Sequence, residues 1–181
     1  MDMQKILEYR NARNRFCQRI GITVTELSPG YAKVVKTETE DDLNPVDVAH
    51  GGLFFSMADN AAGSAMAAYG EQAVTLNAQY NFMRAAKAGD VLTAEAREAK
   101  HGGTVCVFDI RITDQDGNLD GTGTFTFYKR ATKPEMVTNG YDYTTSFLES
   151  YVNAFGKDPS NINNVFKFSR TWYNELARRN S

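Results

Sequence analysis

The stretch that decides the reading is Asn44–Asn60, NPVDVAHGGLFFSMADN. Its first half is polar, is broken by Pro45, and ends in a histidine followed at once by two glycines, His50-Gly51-Gly52. Its second half begins a run of Leu, Phe, Met and Ala that continues to Tyr69 and stops at Gly70. Ala, Leu and Met favour helix, and a glycine just past the last helical residue is a common stop. The pattern predicts one helix from about 52 to 69, apolar on most sides and therefore wrapped by protein on most sides. Within it Ser56, Asp59, Asn60, Gly63 and Ser64 make a narrow stripe of polar or small residues, expected to face another protein surface or a water-filled cleft. Burying an unpartnered carboxylate costs several kcal/mol, so Asp59 needs a structural partner or a chemical task. A structural partner would be a hydroxyl, either Ser56 or a threonine on a strand.

Upstream of the helix, residues 2–19 read as a polar, helix-favouring lead-in with Ile6, Leu7, Tyr9 and Phe16 as anchors. ITVTELSPGYAKVVKTETE, residues 22–40, then gives two extended runs around the turn Ser28-Pro29-Gly30. Downstream the period changes from helical to alternating. Residues 73–83, 91–101, 104–114 and 119–130 are four strand-like runs, separated by AAKAGD, a Gly-Gly pair and DQDGN. The order predicts two strands, one long helix and a four-strand antiparallel meander, an α+β layout with the helix lying on a curled sheet. The last fifty residues show helical spacing over 144–155 and 160–178, joined at Gly156-Lys157-Asp158-Pro159, and suggest two amphipathic helices. The expected division is residues 1–131 as one domain and 132–181 as a helical extension.

With 42% hydrophobic residues the chain has material for a core without a metal or disulfide staple. A formal net charge of −2 advertises neither a nucleic-acid nor a membrane partner. Cys17 and Cys106 lie far apart and outside any CxxC or Cys/His cluster, so both are expected as free buried thiols. His50 and His101 have no neighbouring ligand cluster, so no metal is expected, and His101 in KHGG reads as a turn residue. The charged N-terminus is not a signal peptide and no apolar run reaches the roughly 18 residues of a bilayer span, which makes cytoplasmic the expected location.

Asn44, His50-Gly51-Gly52 and Asp59 in this order resemble the active-site segment of the PaaI-like (phenylacetate-pathway) acyl-CoA thioesterases of the hotdog superfamily. The flanking GITVTELSPGYAKV, TLNAQYNFMRAAKAGDVLTAEAREAKHGG and GTGTFTFYKR are similar to that family too, so the resemblance covers roughly residues 18–130. It implies a hotdog fold and hydrolysis of an acyl-CoA to free acid and coenzyme A. Asp59 would be the general base or the nucleophile, and the Gly51 N–H at the helix start would polarise the thioester carbonyl. Asn44 and His50 would orient thioester and water. Thr75 stands where the family often has a hydroxyl bonding the water or the carboxylate. Gly52, Arg84, Lys100, Lys129 and Arg130 would help bind the substrate, the four cations towards its nucleotide phosphates. Leu53, Phe54 and Met57 would shape an acyl pocket beneath the helix. No cofactor is implied, coenzyme A being part of the substrate.

Gly51 and Asp59 are eight residues apart, about 12 Å along a helix rising 1.5 Å per residue. A base and an oxyanion donor must each lie within about 3 Å of the atoms they serve. One helix can hardly supply both to one carbonyl, so Asp59 is expected from one subunit and Asn44, His50 and Gly51 from another. The minimum unit is then a homodimer with two composite sites, and a homotetramer is also open. Two other functions stay open on the sequence: a non-catalytic acyl-CoA-binding hotdog domain acting as a ligand sensor, and a hotdog dehydratase or hydratase. The acyl group, aromatic or short-to-medium aliphatic, is also open.

Overall fold

The computed structural model describes residues 2–130. The helices expected over 144–155 and 160–178, and the extension 132–181 as a whole, lie outside the described residues. The chain begins with α1 (Met3–Arg13), capped by the Asp2 carboxylate, and the short α2 (Arg15–Arg19), capped by Asn14. Strands β1 (Thr23–Ser28) and β2 (Tyr31–Thr37) follow, then a 3-10 turn (Glu40–Asp42) and the long helix α3 (Gly51–Ala67). Four more strands complete the fold: β3 (Ala73–Phe82), β4 (Val91–His101), β5 (Val105–Thr113) and β6 (Leu119–Lys129). Of the expected lead-in anchors, Ile6 and Leu7 are partly buried. Tyr9 and Phe16 are instead more than half exposed, because the lead-in attaches through polar side chains.

All six strands join one antiparallel sheet in the order β1-β2-β4-β5-β6-β3, which curls around α3. The expected four-strand meander is therefore corrected: only β4, β5 and β6 are hairpin-connected neighbours, and β3 pairs with β6 at the far edge. AAKAGD does turn, with the Lys87 N–H bonded to the Asp90 carboxylate. Its backbone is tied to the end of β2, however, through Glu38 N–H to Asp90 O and Gly89 N–H to Glu38 O. Gly89 has φ +94°, a conformation that suits glycine. The turn thus delivers β4 to β2 rather than back to β3. A tight turn fixes a change of direction but not the identity of the next strand.

The core lies between α3 and the inner face of the sheet. Cys106, Phe108, Ile110 and Ile112 of β5 are buried in strict alternation, with Phe125 and Phe127 of β6 beside them. Burial of each large side chain contributes roughly 1.5–3 kcal/mol. Along the middle of α3 many of the covered residues are small: Ala32, Ala94 and Ala96 of the sheet and Ala58, Ala61, Ala62 and Ala65 of the helix are fully covered. Cys17 and Cys106 are free and buried, as expected. No helix among the described residues is long and apolar enough to cross a membrane.

At the end of β2 a buried ion pair, Lys36 to Asp42 at 2.5 Å, closes the strand onto the 3-10 turn. Beside it Glu38 is 2% exposed and neither carboxylate oxygen has a hydrogen-bond partner. Burial, then the neighbouring Asp42 carboxylate, push its pKa up to about 7, with Lys36 opposing. A raised carboxyl pKa means that the fold prefers the protonated form. The stabilisation is complete below about pH 4.5 and is lost as pH rises through about 7. Glu38→Gln should match the wild type in urea unfolding near the acid end of that window. Above it the variant should be the more stable, by on the order of 3 kcal/mol.

Candidate active site

Helix α3 begins at Gly51 with His50 as its N-cap, and the His50 Nδ1 accepts the Gly52 N–H at 2.9 Å. The proton of the neutral ring is then on Nε2, which leaves that N–H as the ring's outward donor. The Gly52 N–H is used in the cap, whereas the Gly51 N–H has no partner among the described residues. The first N–H groups of a helix have no carbonyl of their own helix to bind and carry the positive end of its dipole. Gly51 also lies against a ring, since a Cβ there would come within 3.2 Å of Phe82.

The Asn44 side-chain oxygen accepts the N–H groups of Val46 (3.0 Å) and Val48 (3.4 Å), which fixes the amide and leaves its NH2 as a donor. Asn44 and Gly51 line a cavity of about 320 Å³ together with Val48, Ala49, Phe54, Phe82, Met83, Arg84 and Ala85. Of the three residues expected to shape an acyl pocket, Phe54 lines this cavity. Leu53 and Met57 do not line it, and all three belong to the core. The contributions of Phe82 and Met83 come from the far end of β3, which no spacing in the sequence connects to Gly51.

Asp59 is not among the residues lining this cavity. It is partly exposed rather than buried, and its Oδ1 accepts the Thr75 hydroxyl at 2.5 Å. The partner is thus the strand threonine. The Ser56 hydroxyl turns back to the Gly52 carbonyl at 2.7 Å. Thr75 lies on β3 just before a bulge at Leu76, where the register with β6 shifts. Bulges of this kind re-aim side chains next to functional sites. The remainder of the polar stripe faces neither cleft nor partner: Asn60 and Ser64 are buried against Arg10 of α1.

The four expected phosphate-binding cations differ in availability. Lys100 and Arg130 are exposed. Arg84 forms an ion pair with Asp114. Lys129 is held by Glu71 at 2.8 Å and lies 2.6 Å from the Nε2 of His101. His101 ends β4 rather than sitting in the turn, and its Nδ1 meets Glu98 at 2.8 Å. The neutral ring with its proton on Nδ1 donates to Glu98 and accepts from the Lys129 ammonium. Tyr69 covers the ring at 4.2 Å, and burial with its Glu98 hydrogen bond pushes its phenol up to about 12. Among the described residues no group of three or more His, Cys, Asp or Glu side chains is placed to hold a metal.

The sequence model of the Thioesterase superfamily matches residues 47–120. The structure of the Escherichia coli PaaI protein from the phenylacetic acid degradation operon superimposes with a TM-score of 0.68 and 28% identity, over 71% of this chain and 93% of that one. A hypothetical thioesterase from Streptococcus pneumoniae, solved with coenzyme A, gives a TM-score of 0.58 and 31% identity over 60% and 87% of the two chains. Variants of that protein with alanine in place of an aspartate, and of a threonine sixteen residues further on, are also solved. Fold and sequence together define a hotdog-fold thioester hydrolase. Acyl-coenzyme A thioesterase PaaI of Escherichia coli is 38% identical over 96 residues, 53% of this chain and 69% of that protein. A putative esterase of Archaeoglobus fulgidus is 27% identical over 127 residues, 70% of this chain and 82% of that protein. The chain belongs to the PaaI-like acyl-CoA thioesterase family.

The cap and the chemistry of His50 are separable. His50→Ala should destabilise the fold by about 1 kcal/mol in urea unfolding, the usual cost of an N-cap. His50→Asn should keep most of that stability, because an amide oxygen can take the Gly52 N–H, while the outward Nε2 donor is lost.

Proposed function

We propose that the chain hydrolyses an acyl-CoA thioester to the free acid and coenzyme A at two composite sites of a homodimer. Asp59 of one subunit acts as general base on water or as nucleophile on the carbonyl. The Gly51 N–H of the other subunit holds the oxyanion, with the Asn44 amide and the His50 Nε2–H orienting thioester and water. Thr75 fixes the carboxylate of Asp59. In the general-base route water adds to the carbonyl and gives its proton to Asp59; the C–S bond then breaks, and that proton neutralises the departing thiolate. These steps need a base, an oxyanion donor and a positioned water, and no further cofactor.

The observation that carries the proposal is the separation of the two halves within one chain. Asn44 and Gly51 share a cavity that Asp59 does not line, while Asp59 lies eight residues along α3 against the edge strand. The sixteen-residue spacing of Asp59 and Thr75 equals that of the two residues substituted in the pneumococcal thioesterase, which supports their working as a pair. A second copy has an evident place. Among the described residues strand β3 has a neighbour on one side only, and Val74, Leu76 and Phe82 along it and Met83 just after it are 48–61% exposed. Two such edges pairing antiparallel would cover this apolar strip and bring each Asp59 towards the other copy's helix start. The cavity's Phe54, Phe82 and Met83 would take the acyl group, and Lys100 and Arg130 the nucleotide phosphates. Arg84 and Lys129 would join them by exchanging their carboxylate partners for phosphate.

Thiol release from acetyl-, hexanoyl-, benzoyl- and phenylacetyl-CoA should identify the acyl class and fall by about a hundredfold or more in Asp59→Asn. Turnover that survives the substitution would remove Asp59 from the mechanism. Mixing inactive Asp59→Ala and His50→Ala subunits should restore activity, with about one intact site per mixed dimer. No recovery after demonstrated subunit exchange would refute the shared site. Single turnover in ¹⁸O-water labels the Asp59 carboxylate only if it is the nucleophile.

A further inference from the structure

The polar stripe of α3 carries a cation that the mechanism above does not use. Arg10 of α1 reaches across and forks onto the helix, its Nε donating to the Ser64 hydroxyl at 3.2 Å and its Nη2 to the Asn60 Oδ1 at 3.1 Å. Asn14 donates to the same Asn60 oxygen at 3.2 Å. Asn60 and Ser64 are 5% and 0% exposed, so the fork is an interior contact. Gly63 makes room for it, since a Cβ there would stand 3.3 Å from Nη2. Gly63 is four residues after Asp59, one turn further along the same helix face.

The guanidinium therefore lies one turn beyond the carboxylate. Partial burial works against its charged form; Cys17 opposes this only as a thiolate, so near neutral pH the Asp59 carboxylate is the anion that offsets the penalty. Its hydrogen-bond partners, Asn60 and Ser64, are both neutral. A half-buried cation without a hydrogen-bonded carboxylate is a costly way to attach a lead-in helix, and on an otherwise alanine-rich helix apolar side chains would do it at lower cost. The charge has a purpose if Asp59 is its electrostatic counterpart.

We propose that Arg10 is a positioning residue for the hydrolysis, locking the Asp59–Ser64 turn of α3 against α1 and placing a positive charge one turn from the Asp59 carboxylate. The proposal rests on Asp59 being the base or nucleophile. Thr75 from β3 is hydrogen-bonded to Asp59, and Arg10 from α1 and Cys17 from α2 lie within electrostatic reach of it. Burial pushes the Cys17 thiol up, so it stays neutral there. In the dimer proposed above, the second copy's His50 faces it as well.

The test is the pH dependence of kcat and KM for wild type, Arg10→Gln, Arg10→Lys and Asp59→Asn, from about pH 5 to 9, with hexanoyl-CoA or benzoyl-CoA, whichever is turned over faster. Arg10→Gln should lower kcat about tenfold with KM changed less than about twofold, and move the acidic limb up by about half a pH unit or more. Arg10→Lys should keep the limb in place, because it retains the charge and loses only the fork. Wild-type kcat and limb in Arg10→Gln would overturn the proposal, as would a displaced limb in both Arg10 variants. If Arg10→Gln does not fold, Arg10→Lys decides: an unmoved limb with kcat within about fivefold of wild type supports the role, and a larger loss or a moved limb overturns it. Loss of turnover in Asp59→Asn with Arg10→Gln unchanged sinks this proposal alone. Turnover that survives Asp59→Asn sinks the assignment beneath it.

Discussion

Everything in this fold depends on how closely α3 can approach the sheet. Along its middle, small side chains recur on both sides: Ala32, Ala94 and Ala96 on the sheet, Ala58, Ala61, Ala62 and Ala65 on the helix, all fully covered. Small side chains on both faces let the helix sit deep in the curl, because interiors pack to near-crystal density. The described cavity beside the helix opens at its first turn, under the bulkier Phe54, Phe82 and Met83. In the function proposed above, an acyl chain would enter beside the helix start rather than beneath the helix.

The same close packing separates tasks along α3. Its first turn is held by a histidine cap that uses the Gly52 N–H and leaves that of Gly51. Two turns on, the carboxylate faces the edge strand, where the bulge at Leu76 follows the threonine that bonds it. Beyond that, the polar residues turn inward onto α1. A rigid helix keeps these stations at fixed separations.

Much of this was legible in the sequence because it is periodic or local. The alternation at Cys106–Ile112, the alanine-rich helix and the glycine after it each report a face or an end, and the strands fall within a few residues of their expected limits. The strand neighbours were not legible in the same way. AAKAGD turns as its composition indicates, but the backbone bonds that choose β2 over β3 come from Glu38, some fifty residues upstream of it. The site divides similarly: His50, Gly51 and Asp59 announce themselves by spacing, whereas Arg10 finds Asn60 and Ser64 across fifty residues or more of chain. A lone arginine on a polar lead-in reads as a solvated charge until its partners are known. Asp59 was expected to be buried because its sequence neighbours are apolar, yet the helix turns it towards the edge strand.

Asn11 of α1 has a consequence for assembly. Its amide takes the Val24 N–H and gives to the Val24 carbonyl, both at 2.9 Å, so one side chain imitates a stretch of strand along β1. Among the described residues the sheet is thereby covered at one margin, while the other, β3, has no further strand beside it. A ribbon with a single open margin can be extended once, by a copy presenting the same margin, and the growth ends there. In the dimer proposed above, an asparagine would oppose edge-to-edge growth beyond two copies, and stoichiometry would become a property of the N-terminal arm.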